Sequence, residues 1–66
     1  MKNWGYELKE HRQERGMTQL ELANKVGVSP RTVSFWETGD RGMTLAHAEK
    51  AFRILGAEFV LMRIRT

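Results

Sequence analysis

The residues of this sequence whose types and spacing point to chemistry are Arg31, Thr32, Ser34 and Phe35, just after Ser29-Pro30. On a helix they share the face turned away from Val33 and Trp36, so a guanidinium, two hydroxyls and an aromatic ring are presented together. Solubility alone does not account for this face, because it holds one charge and an exposed phenylalanine. Donors, acceptors and an apolar ring at the start of a short helix are suited to base edges in the major groove of DNA.

Other chemistries lack their residues. The two histidines, His11 and His47, stand without cysteine and without His-x-x-x-His or Glu-x-x-His spacing, so no metal site is expected. His11 reads as an interior or boundary histidine and His47 as surface or half-buried. Neither has a serine or carboxylate at the spacing of a nucleophile and its base, so the chain is not read as an enzyme, and no cofactor is expected. Gly39-Asp40-Arg41-Gly42 matches the loop of KH RNA-binding domains, but the β-α-α-β context of that loop is missing.

The elements that must position the exposed face follow from periodicity and caps. A first helix is predicted from Trp4 or Gly5 to Arg15, with Trp4, Leu8 and His11 in a narrow stripe and Gly16 as its stop. The second opens on Thr18-Gln19-Leu20-Glu21, a capping box, turns Leu22, Ala23 and Val26 inward, and ends at Gly27. Only Val28 separates that glycine from Ser29-Pro30, an N-cap followed by proline in the first helical position. The third helix is predicted over Pro30 to Thr38, ending at Gly39. A fourth begins at the N-cap Thr44 and carries Leu45, Ala48, Phe52 and Leu55 on one stripe, with Ala51 beside it, before Gly56. Glu58 to Ile64 is β-branched and aromatic, with apolar residues on both faces of a period-2 pattern, and reads as a strand. Such a strand has no partner in the chain. Antiparallel pairing with a second copy would bury Val60, Met62 and Ile64, or Phe59 and Leu61, between subunits; the alternative is a fifth helix or a tail packed on its own subunit.

Two short helices joined by a glycine turn form a helix-turn-helix, in which the second helix enters the groove and the first lies across the backbone. Ala23 is small where the helices approach, Gly27 turns the chain, and Val28, Val33 and Trp36 anchor the second helix. At this point the sequence resembles a known family, the Cro/phage-repressor type of helix-turn-helix, or XRE family, with the lambda repressor-like fold. The resemblance is carried by Leu8 to Gln19, by Leu22-Ala23-Asn24-Lys25-Val26-Gly27-Val28-Ser29, by Thr32-Val33-Ser34 and by Trp36-Glu37-Thr38-Gly39. The C-terminal segment is similar to the dimerising strand of HipB-like antitoxins and related compact repressors.

The resemblance implies a mainly α architecture: a four-helix helix-turn-helix domain over residues 1–56, with the motif at about 18–38. A C-terminal dimerisation strand over 57–66 would belong to the same domain. It implies base contacts from Pro30, Arg31, Ser34 and Phe35, with Arg31 reaching guanine O6 and N7 or else a phosphate, and Phe35 meeting thymine methyls or else the core. Phosphate contacts are implied for Arg12, Thr18, Gln19, Thr32, Thr38, Arg41 and Thr44. Arg12 is expected to pair with Glu37, tying the first helix to the end of the third. The dimer interface would use Phe59, Val60, Leu61, Met62 and Ile64. The implied function is a dimeric repressor on an inverted-repeat operator. The rival is an antitoxin or interaction module for a toxin or other protein partner, with DNA binding secondary.

Length and charge set the bounds. A chain of 66 residues has room for one small core, and without cysteine that core must rely on packed helices, on oligomerisation, or on both. No apolar run is long enough to cross a membrane, and the N-terminus lacks the apolar stretch of a signal peptide, so a cytoplasmic protein is expected. The net charge of +3 is compatible with a polyanionic partner, yet residues 17–43, which hold the motif, are formally neutral. Affinity for DNA must then depend on where single arginines and helix N-termini point.

Overall fold

The computed structural model describes residues 4–39 and 42–57, which form four helices: α1 (Trp4–Glu14), α2 (Gln19–Val26), α3 (Pro30–Thr38) and α4 (Leu45–Ile54). Their boundaries follow local chemistry. After α1 the amides of Gly16 and Met17 return to the carbonyls of Gln13 and Arg12 at 3.0 and 3.1 Å, with Gly16 at φ +63°. The reversal pairs carbonyls that the helix itself leaves open. Thr18, Ser29 and Thr44 each cap the following helix through the side-chain oxygen, and Pro30 supplies the pre-set φ of a first helical residue.

The α2–α3 turn needs its glycine. Gly27 sits at φ +94°, in the left-handed region, and the amides of both Gly27 and Val28 bond to the Ala23 carbonyl at 2.8 and 3.0 Å. Ala23 is fully buried where α2 packs on α3, so a larger side chain there would push the two helices apart. Around it Leu8, Leu22, Val33, Ala48, Ala51, Phe52 and Leu55 make one core that is closed to solvent, joined by Val26 and Trp36. Trp4, Met17, Val28, Met43 and Ile54 pack half-buried on its edge. Among the described residues Phe52 is the largest fully buried side chain, and its burial contributes about 1.5 to 3 kcal/mol.

Two sequence expectations are corrected by the fold. Leu45, placed by periodicity on the buried stripe, is 43% exposed, because it is the first residue of α4 and lies beyond the edge of the core that Ala48 and Phe52 enter. Phe35, read as exposed, is half-buried: it is one step around α3 from Trp36, on the flank of the buried stripe. Ala57 follows the turn that closes α4. Its amide bonds the Phe52 carbonyl at 2.8 Å and its methyl is buried in the core. Among the described residues there is no strand; the predicted strand and its interface residues Phe59, Val60, Leu61, Met62 and Ile64 lie outside them, as does Arg41.

Candidate nucleic-acid interface

The N-terminus of α2 is built by the capping box. The Thr18 hydroxyl accepts the Glu21 amide at 3.0 Å while the Thr18 amide donates to the Glu21 carboxylate at 2.8 Å. That backbone hydrogen bond favours the ionised form and lowers the Glu21 pKa below its ordinary 4.5. The box uses the amides of Thr18 and Glu21 and leaves those of Gln19 and Leu20 uncapped at the positive end of the helix. The Thr18 hydroxyl accepts in this arrangement, so its own hydrogen stays free to donate.

Gln19 is half-buried, and its side-chain amide donates to Glu37 Oε1 at 3.1 Å. Glu37 is the centre of a network. Its Oε2 accepts Arg12 Nε at 2.7 Å and its Oε1 accepts Arg12 Nη2 at 3.0 Å, a two-pronged guanidinium–carboxylate pair. Arg12 Nη1 donates to the Met17 carbonyl at 2.7 Å. The side chains of Arg12 and Glu37 are only 10% and 2% exposed, so α1, the α1–α2 turn, α2 and α3 are joined by a buried polar cluster. Three of the five guanidinium N–H groups are used inside the protein, which leaves Arg12 little with which to meet a phosphate.

At the start of α3, Ser29 Oγ accepts the Thr32 amide at 3.2 Å, and the two hydroxyls lie 2.9 Å apart. Pro30 and Arg31 are exposed in the first helical turn, and Arg31 has no ion-pair partner among the described residues. Ser34 is half-buried one turn further on, beside Phe35. The Thr38 hydroxyl donates back to the carbonyls of Ser34 and Phe35 at 3.1 and 3.3 Å, so as it stands Thr38 offers an outside partner only acceptor sites. Thr44 caps α4 by accepting the His47 amide at 3.1 Å, and His47 Nδ1 lies 3.2 Å from the same oxygen.

The histidines are accounted for by packing. His11 lies between Glu7 at 3.6 Å and Glu14 at 3.8 Å, with its ring edge-on to Phe52. His47, although exposed, rests against Trp36 at a ring separation of 5.3 Å. Among the described residues no cluster of histidines and acids could hold a metal ion. A groove of about 490 Å³ runs between α1 and the end of α3, lined by Tyr6, Lys9, Glu10, Gln13, Glu37, Thr38 and Gly39. It contains no histidine or cysteine, and Tyr6 donates to Glu10 across one turn of α1 at 2.8 Å. Sequence reasoning missed the Gln19–Glu37 and Arg12–Met17 bonds and the burial of Glu7, which is 4% exposed; no local pattern signals any of them.

The packed α2–α3 pair, its glycine turn and the polar first turn of α3 define a helix-turn-helix domain. The helix-turn-helix family model HTH_3 matches residues 8–61. The chain is 42% identical over 53 residues to an uncharacterized HTH-type transcriptional regulator of Methanothermobacter thermautotrophicus, covering 80% of this chain and 77% of the relative. It is 44% identical over 50 residues to another such regulator from Archaeoglobus fulgidus, covering 76% and 71%. No solved structure matches it significantly. The protein belongs to the XRE-type helix-turn-helix family of regulators.

Proposed function

We propose that the protein is a sequence-specific double-stranded DNA-binding repressor that works as a homodimer, without cofactor, on an inverted-repeat operator. The observation that carries this reading is the exposed Arg31, without an ion-pair partner among the described residues, in the first turn of the α3 that the Gly27 turn packs against α2. With α3 in the major groove, Arg31 takes guanine O6 and N7 through its fork of donors, and Pro30 lies against the neighbouring base edges. Ser34 supplies a hydroxyl, and the outer edge of Phe35 meets thymine methyls. Phosphates are met by Thr18, Gln19 and the free α2 amides, by Thr32 and Thr44, and by Thr38 once its hydroxyl turns from the carbonyls of Ser34 and Phe35; Arg41 is a further phosphate contact in this reading. Arg12 contributes by holding Glu37 rather than as a main phosphate contact. Dimerisation through Phe59, Val60, Leu61, Met62 and Ile64 would set two α3 helices about 34 Å apart, one turn of DNA, and occupancy of a promoter would block transcription.

Selection of bound duplexes from a random pool tests this directly. The expected product is an inverted repeat with half-site centres one helical turn apart, bound with an affinity that falls steeply with salt. Failure to enrich any sequence, or retention insensitive to salt, would overturn the reading.

A further inference from the structure

We propose that Glu37 is a positioning residue for DNA binding: it orients the Gln19 side chain so that its second amide N–H is aimed at a phosphate. The inference rests on the DNA-binding reading above. Glu37 Oε1 accepts from both Arg12 Nη2 at 3.0 Å and Gln19 Nε2 at 3.1 Å, and Glu37 Oε2 is held by Arg12 Nε at 2.7 Å. A carboxylate fixed by two guanidinium bonds is a rigid acceptor, so the Gln19 amide plane is fixed with it. One N–H of Gln19 is used, and the other diverges from it by the geometry of a primary amide.

The remaining N–H joins the uncapped backbone amides of Gln19 and Leu20 and the Thr18 hydroxyl, giving an anion a set of donors on one short stretch of chain. The charge on Glu37 does not oppose this. A lone carboxylate beside a phosphate seat would repel the ligand, whereas Glu37 is paired with Arg12 and presents a neutral pair. Arg12 neutralises and anchors Glu37, Glu37 orients Gln19, and Gln19 contacts the backbone of the duplex. A flexible exposed glutamine would lose rotamer freedom on binding; one already ordered in the free protein loses less, which raises affinity for every sequence alike.

The test is a double-mutant cycle on affinity for the selected operator, using Gln19→Ala, Glu37→Asp and the pair, with folding checked by circular dichroism. Glu37→Asp keeps the charge for Arg12 and withdraws the carboxylate from Gln19. Gln19→Ala is expected to cost about tenfold in affinity, and Glu37→Asp at least about threefold in the native background but less than about twofold once Gln19 is alanine. Losses that simply multiply would overturn the positioning role. A second measurement needs no variant: the side-chain amide of Gln19 in the free protein should be ordered by NMR relaxation, in contrast to exposed Gln13. Equal mobility of the two glutamines would also overturn it. A wild-type protein that binds no duplex removes the DNA reading itself, whereas binding with multiplicative losses removes only the role of Glu37.

Discussion

Replacing Arg12 by methionine isolates the buried cluster that ties α1 to α3. The substitution preserves most of the side-chain volume but leaves the Glu37 carboxylate, 2% exposed, with a single neutral donor from Gln19, and strips the Met17 carbonyl of its partner. Breaking a buried pair from one side costs about 3 to 5 kcal/mol, because the remaining charge has neither water nor a counter-ion. A domain of 66 residues has a total stability of roughly 3 to 10 kcal/mol, so Arg12→Met should bring the protein close to unfolding. The double variant Arg12→Met, Glu37→Met removes both charges and should return to within about 1 kcal/mol of the parent, the hydrophobic replacements offsetting the lost hydrogen bonds. Urea denaturation followed by circular dichroism reads both, with the slope showing whether the exposed area on unfolding is unchanged. A single variant that loses less than about 1 kcal/mol, or a double variant as unstable as the sum of its singles, would refute the view of Arg12 and Glu37 as a desolvated, mutually dependent pair.

Three other predictions concern the surface. Arg31→Ala should relax preference at one or two base pairs by about 1 to 3 kcal/mol, measured on operators substituted one position at a time; a uniform loss on all sequences would make Arg31 a phosphate contact instead. Because the folded-state pKa of Glu21 is lowered by the Thr18 amide, its stabilisation is present above pH 4.5 and is lost as pH falls through the lowered value. The stability difference between the parent and Glu21→Gln should accordingly be full at neutral pH and disappear in acid, and a difference independent of pH would contradict it. Tyr6, the single tyrosine, is held above its ordinary pKa of 10.0 by its hydrogen bond to Glu10, followed by the charge of the same carboxylate. Tyrosinate absorbance should therefore titrate above that value in the parent and move back toward it in Glu10→Gln; an unchanged midpoint would show that the bond is absent in solution.

The helices and their ends were legible because they depend on interactions within about five residues. Thr18, Ser29 and Thr44 bond amides three positions ahead, and Gly16, Gly27, Gly39 and Gly56 take the left-handed conformation that side chains disfavour. The apolar spacing of Leu22, Val26, Val33, Trp36, Ala48 and Phe52 likewise predicts burial, since an α-helix repeats every 3.6 residues. Periodicity was less secure at the margins of the core. Leu45 has the right phase but the wrong height along α4, and Phe35 is neither on the buried stripe nor opposite it.

Resemblance, rather than spacing, pointed to Arg12 and Glu37 as partners; their separation of 25 residues has no periodic meaning. The sequence by itself determined four capped helices, the glycine turn and the polar first turn of α3, all consequences of local backbone geometry and hydrophobic phase. Tertiary structure alone decided that Gln19, 18 residues from Glu37, shares its carboxylate with Arg12, and that Glu7 and Arg12 are withdrawn from solvent. Those contacts depend on the angle and depth at which α1, α2 and α3 cross, which the whole core sets and no short stretch of chain encodes.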